Sequence, residues 1–140
     1  MQYEISVDID AARAHVWDVL TDVERWPEWT PSMTRLQRLD SGPFGVGSRV
    51  RVKQPRFPAM VWEVTALEPE RSFSWAASSG GVTTVADHRL ADGPGGRVTV
   101  AHSIRQVGLL APVVALLSGA RTRRYVHMEA QGLKRRCEAG

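Results

Sequence analysis

From Ser32 to about residue 106, apolar side chains recur at every second position; over the last thirty residues the spacing changes to three and four. A period of two is that of a strand with one buried face, and a period near 3.6 that of an amphipathic helix. The chain therefore reads as a run of strands closed by one long helix, an α+β arrangement. The candidate strands are 33–40, 48–54, 60–68, 71–78, 82–91 and 97–106. Turn chemistry separates them: Ser41-Gly42-Pro43, Glu68-Pro69-Glu70, Gly80-Gly81 and the Gly- and Pro-containing run 92–96. Connections this short require antiparallel neighbours. Upstream, Ile5, Val7 and Ile9 alternate with polar residues over 3–9 and add a seventh strand.

Asp10 is placed to cap a helix running to about Leu20, with Val16, Trp17, Leu20 and Val23 at helical spacing. Asp22 is placed to cap a second short helix that Pro27 ends. In the last segment Leu110, Val113, Val114 and Leu117 form a stripe that Arg121, Tyr125, Met128 and Gly132 continue. At 1.5 Å per residue such a helix is roughly 40 Å long, enough to cross a whole sheet. Gly119 is positioned to kink or divide it, and Gly132 to let it approach the sheet closely.

The chain has 140 residues, which suits one domain, 1–140, able to fold without disulfides or metal. Its 43% hydrophobic and 24% charged residues are ordinary for a soluble globular protein. The net charge of +3 comes mainly from arginines spread along the sequence, which argues against nucleic acid as a partner. The denser cluster of Arg123, Arg124, Lys134, Arg135 and Arg136 reads as a solvated face. The single cysteine, Cys137, has no internal partner and fits a reducing cytoplasm. No signal-peptide pattern opens the chain. The longest apolar run, Leu109 to Leu117, is too short to span a bilayer, so an integral membrane protein is not expected.

Between the first helix and the strands lies Asp22-Val-Glu-Arg-Trp-Pro-Glu-Trp-Thr-Pro31, in which Trp26 and Trp29 flank a proline and a glutamate. This segment resembles the N-terminal signature of the START-like helix-grip superfamily (SRPBCC), most closely its polyketide cyclase/dehydrase-like branch. Gly96-Arg97-Val98-Thr99-Val100 resembles the last hairpin of that family, and Gly132-Leu133-Lys134 with Glu138 its C-terminal helix ending. The resemblance covers essentially the whole chain and agrees with the element order read from periodicity. It implies a helix-grip fold: a curved seven-stranded antiparallel sheet wrapped around a long C-terminal helix, with two short helices after the first strand. The space between sheet and helix in such folds often holds an apolar ligand.

Alternation assigns the inward side chains. They are Met60, Trp62 and Val64; Phe73, Trp75 and Ala77; Thr84, Ala86, His88 and Leu90; and Val98, Val100, His102 and Ile104. A hairpin centred at Gly95 pairs His88 with His102, setting two imidazoles side by side on an apolar face. They are the candidate catalytic residues, one as base and the other as hydrogen-bond donor. The plainer reading is that each satisfies a backbone or water partner. Candidate ligand-binding residues are Met60, Trp62, Phe73, Trp75 and Val100 from the sheet, Arg121, Tyr125 and Met128 from the helix, and Trp29 at the cavity mouth. For Trp29 the alternative is packing of the helical turn onto the sheet. For Tyr125 it is core packing, and for Arg121 a solvated head group.

Gly42-Pro43-Phe44-Gly45-Val46-Gly47 lacks the Gly-Lys-Ser/Thr ending of a phosphate loop and leads into a strand. It resembles instead the glycine-containing loop that often borders the pocket entrance in helix-grip proteins. His15, His88, His102 and His127 have no ligand-type spacing, so neither metal nor other cofactor is expected.

Three functions are carried forward. The first is binding of a hydrophobic or aromatic small molecule, lipid- or polyketide-like, between sheet and helix, by a monomer or homodimer. The second, implied by the resemblance, is a polyketide cyclase/dehydrase or aromatase: aldol cyclisation with loss of water, His88 or His102 as base and Tyr125 or Arg121 steadying the enolate. The third is a protein-interaction or stress-response factor without a small ligand.

Overall fold

Strand β6 (Val82–Asp92) turns through a short 3₁₀ segment at Pro94–Gly96 into β7 (Val98–Val107), and this hairpin is the longest pairing of the sheet. Its register sets Leu90 opposite Val100 and His88 opposite His102, as a turn centred on Gly95 requires. The turn needs left-handed backbone at Gly95 (φ 63°), which glycine adopts without steric cost. The computed structural model describes residues 1–140.

The other strands are β1 (Gln2–Ile9), β2 (Arg35–Arg38), β3 (Arg49–Lys53), β4 (Met60–Glu68) and β5 (Ser72–Ser79). All seven form one antiparallel sheet in the order β1-β7-β6-β5-β4-β3-β2. The chain thus runs as a meander from β2 to β7, and β1 closes against β7. A bulge between Val64 and Ala66 in β4 locally increases the sheet's bend. Helix α1 (Arg13–Thr21) and a 3₁₀ turn (Val23–Glu28) follow β1, and helix α2 (Ala111–Glu138) crosses the concave face.

Alternation decides what lies inside. Val50, Val64, Phe73 and Val100 are fully buried, while Arg49, Arg51 and Glu63 stay in water. Each fully buried aliphatic or aromatic side chain contributes roughly 1.5–3 kcal/mol. Trp26 is fully buried in the 3₁₀ turn, donates its indole N–H to the Leu20 carbonyl (2.9 Å) and packs on Trp29 and Trp75.

The local caps differ from the sequence reading. Helix α1 begins at Arg13 after Ala12, with no side-chain cap; the Asp10 backbone N–H instead donates to Glu138 at the far end of α2 (2.9 Å). Asp22 pairs with Arg25 rather than capping the turn, and Pro27 lies inside it. A 3₁₀ segment accepts the proline because few of its N–H groups need partners.

Helix α2 is continuous over 28 residues, so Gly119 does not divide it. A β-carbon there would meet only the mobile end of Arg123 (3.4 Å) and Met1 Sδ (3.8 Å). Gly119→Ala is therefore expected to raise stability by about 0.5–1 kcal/mol, read as a higher denaturation midpoint with unchanged slope. Gly132 does permit a close approach, but to the Trp29 backbone rather than to the sheet. The first turns of α2 carry Val113, Leu116 and Leu117 mostly in solvent, so the apolar stripe there is wider than the face the sheet covers. No helix is long and apolar enough to cross a membrane.

Candidate functional site

Between the sheet and α2 lies a partly enclosed cavity of about 310 Å³. Other depressions lie on the surface, and the one among Asp8, Arg97 and Lys134 is wide open and polar. The inner cavity is bounded on the sheet side by Val52, Met60, Trp62, Trp75 and Ile104. On the helix side it meets Val114, Thr122, Tyr125, Val126 and Glu129. Just over half of the lining residues are hydrophobic; beside Thr84, which alternation had placed inward, Gln54, Gln106 and Thr122 add polar groups that it had not brought together.

The charged part of the wall is built by three elements. β6 and β7 hold the His88 and His102 rings with centroids 5.6 Å apart, and α2 lowers Glu129 between them. His102 Nδ1 lies 2.7 Å from Glu129 Oε2, and His88 Nε2 lies 3.3 Å from the same oxygen. Both histidines are at most 2% exposed, and Glu129 is 8% exposed. Burial pushes the Glu129 carboxyl up, but hydrogen bonds from His102 and His88, together with their charge, outweigh it and hold the group at about 2. Glu129 is therefore a carboxylate at neutral pH.

The second nitrogens differ. His88 Nδ1 faces the Phe73 carbonyl oxygen at 3.2 Å, and a carbonyl only accepts, so this nitrogen carries a hydrogen. Its other nitrogen also faces an acceptor, the Glu129 carboxylate. The His88 ring is further held by the Phe73 ring, stacked at 4.3 Å and 19°, and by the edges of Trp26 and Trp75. His102 Nε2 is buried with no protein partner.

Of the residues singled out from sequence, Met60, Trp62, Trp75, His88, His102 and Tyr125 border the cavity. Five others do not. Phe73 lies behind His88, as the ring that stacks on it. Val100 is fully buried in the sheet core, between Leu90 and Val7 in register. Trp29 packs on Trp26 and under Gly132, so it holds the helical turn rather than the mouth. Arg121 lies over the Phe57 ring at 5.8 Å, outside the lining. Met128 is half-buried beside the stripe, one position away from Glu129.

The 54–58 loop borders the cavity through Gln54, Phe57 and Pro58. The Tyr125 hydroxyl donates to the Pro55 carbonyl (2.7 Å) and its ring meets Phe57 edge-on at 5.7 Å, so helix and loop are clasped together. The Gly42–Gly47 loop is not part of the cavity; its Phe44 packs on Phe73 from the opposite end. Glu129 escaped the sequence reading. Its signal was a lone acid on the inward helical stripe, four residues after Tyr125 and three before Gly132.

Comparison with known proteins places this geometry among relatives of the same shape. A structure of a START superfamily protein from Mycobacterium smegmatis superposes with a TM-score of 0.76 at 14% identity, covering 99% of this chain and 97% of that one. The Zhui aromatase/cyclase from Streptomyces sp. R1128 gives 0.74 at 18% identity, covering 99% and 93%. The hypothetical protein jhp0584 from Helicobacter pylori gives 0.81 at 14% identity, covering 97% and 86%. At these identities the likeness shows the fold. No curated protein matches the chain by sequence. The family model described as polyketide cyclase / dehydrase and lipid transport matches residues 1–138, and the chain belongs to that family.

Proposed function

We propose that this protein binds a hydrophobic, at least partly aromatic small molecule in the cavity between the sheet and α2. The observation that carries the reading is the cavity itself: about 310 Å³, walled by Trp62, Trp75 and Met60, with one charged cluster set into an otherwise largely apolar wall. Sites of this kind take most of their affinity from apolar contact and their orientation from a few polar groups. Here the orienting groups are His88, His102 and Glu129, which face a ligand's carbonyl or hydroxyl. Family membership supports the same reading.

The test is tryptophan fluorescence with a panel of flat aromatic and fatty ligands, beside native mass spectrometry of the freshly purified protein. A ligand that quenches emission in the wild type is expected to bind at least tenfold more weakly to Trp62→Ala, because truncating a buried tryptophan removes more than about 1.4 kcal/mol of contact. Equal affinity in both proteins would place the ligand elsewhere and defeat the proposal.

One observation favours a second reading, aldol cyclisation and dehydration of a poly-keto chain. The cluster bordering the cavity pairs a carboxylate with two imidazoles, groups suited to removing an α-proton and assisting departure of water. In that case Glu129→Gln keeps ligand binding within a few-fold and abolishes turnover.

A further inference from the structure

We propose that His88, His102 and Glu129 bind one divalent first-row transition cation of the zinc class at the wall of the cavity. The spacing that defines such a site is absent from the sequence, where the two histidines lie in different strands and the glutamate in the final helix. Pairing of β6 with β7 and the crossing of α2 assemble it. One ligand atom from each residue, His88 Nε2, His102 Nδ1 and a Glu129 oxygen, falls within 4.8 Å of the others.

Three features suit an ion at this position. The first is the donor set. Two imidazoles and one carboxylate are the protein ligands of both zinc sites and iron(II) sites that keep coordination positions open. The second is spacing. Ligand atoms about 2.1 Å from a common metal lie roughly 3.0–3.4 Å apart at angles near 90–109°. His88 Nε2 and Glu129 Oε2 already stand 3.3 Å apart, the 2.7 Å pair with His102 has to open by roughly half an ångström, and the two ring nitrogens start within 4.8 Å of each other.

The third feature is the arrangement of His88. Its Nδ1–H is committed to the Phe73 carbonyl, the same outer contact that fixes ring tautomer and orientation in histidine metal sites. In a neutral ring the lone pair of Nε2 would then point at a carboxylate oxygen. Two electron-rich atoms 3.3 Å apart need a positive centre between them, either a second proton on the ring or a metal ion. Stacking on Phe73 and edge contacts from Trp26 and Trp75 hold the His88 ring in place in either state, so this ligand need not reorient. All three residues border the cavity, which leaves the remaining coordination positions to water or to an oxygen of the organic ligand. This rests on the cavity reading only for the identity of that last donor.

The experiment uses the full chain, untagged, stripped with chelator and then exposed to Zn²⁺ or Co²⁺. Elemental analysis after gel filtration should find close to one equivalent of metal on the wild type. Co²⁺ should give the visible absorption of a four- or five-coordinate nitrogen and oxygen site. Glu129→Gln, which keeps the shape of the side chain, and His102→Ala should both fall to background, with circular dichroism confirming their fold. A wild type that retains no metal overturns the proposal. So does equal retention by the variants, since exposed groups such as His127 would then be the binders. Should His102→Ala misfold, the Co²⁺ spectrum of the wild type and its loss in Glu129→Gln decide the matter. Ligand-induced tryptophan quenching of the metal-free protein is read separately, so loss of the metal site and loss of the cavity reading are told apart.

Discussion

Gly132→Ala is expected to lower stability by about 3 kcal/mol and the melting temperature by roughly 10 °C. A β-carbon at this position would stand 2.1 Å from the Trp29 carbonyl oxygen and 3.1 Å from both its carbonyl carbon and the indole ring. None of these atoms is the end of a flexible chain, so either α2 must lift or the 3₁₀ turn must shift. Both movements loosen contacts among Trp26, Trp29 and Leu133, which lie at the centre of the core. Equilibrium urea denaturation measures the loss. A change under 1 kcal/mol would mean that the helix end yields freely and that its seat on the turn is not tightly packed. The contrast with Gly119→Ala in the same helix is informative, because there the new methyl group meets only a mobile side chain and stability should rise.

Glu129→Leu is expected to cost about 3–5 kcal/mol, more than Glu129→Ala. The order runs against side-chain volume and follows from water. Leucine fills the space and strands His102, whose Nε2 already lacks a partner and whose Nδ1 would then lose its own. His88 would keep only the Phe73 carbonyl. Alanine instead opens the place to water from the adjoining cavity, which restores some hydrogen bonds at a smaller penalty. Replacing all three residues together by apolar side chains of similar size should recover most of the loss, because no stranded polar group remains. Thermal denaturation of the four proteins tests the ranking. If alanine proves the worse substitution, cavity water does not reach the cluster.

The fold was legible because nearly every strand in this sheet buries one face. Arg49, Arg51 and Lys53 alternate with Val50 and Val52, and Phe73, Trp75 and Ala77 with serines and an alanine, so a period of two survives through the sheet. The pairing of His88 with His102 followed from the turn centred at Gly95, where one residue more or less would put the two side chains on opposite faces. What the sequence hid were relations across elements. Nothing local tells that Trp29 meets Gly132 or that Phe73 lies behind a histidine rather than against a ligand. Helix caps were hidden for the same reason, since the acceptor for Asp10 comes from Glu138 at the other end of the chain.

Half of the site was visible for a comparable reason. Met60, Trp62, Trp75 and the two histidines sit on strands whose alternation marks the inward face. On α2 the inward arc is broad, and the choice among Arg121, Tyr125, Met128 and Glu129 depends on how the helix is rotated against the sheet. Gly132, where a β-carbon would collide with the Trp29 carbonyl, lets the C-terminal half of α2 settle closely on the turn. Arg121 and Met128 lie beside the arc, and Glu129 lies within it.

The clasp between Tyr125 and the 54–58 loop bears on how fast the interior exchanges with its surroundings. Parting the loop from α2 there breaks one neutral hydrogen bond and one edge-on aromatic contact, together about 1–3 kcal/mol. A barrier contribution of that size slows such a movement by roughly five- to 160-fold. Arg56, held in left-handed backbone at φ 66°, stores part of the opposing strain in the same loop. Should the cavity take the proposed ligand, its residence time is expected to be set mainly by the aromatic walls, with the clasp between helix and loop contributing only a modest delay.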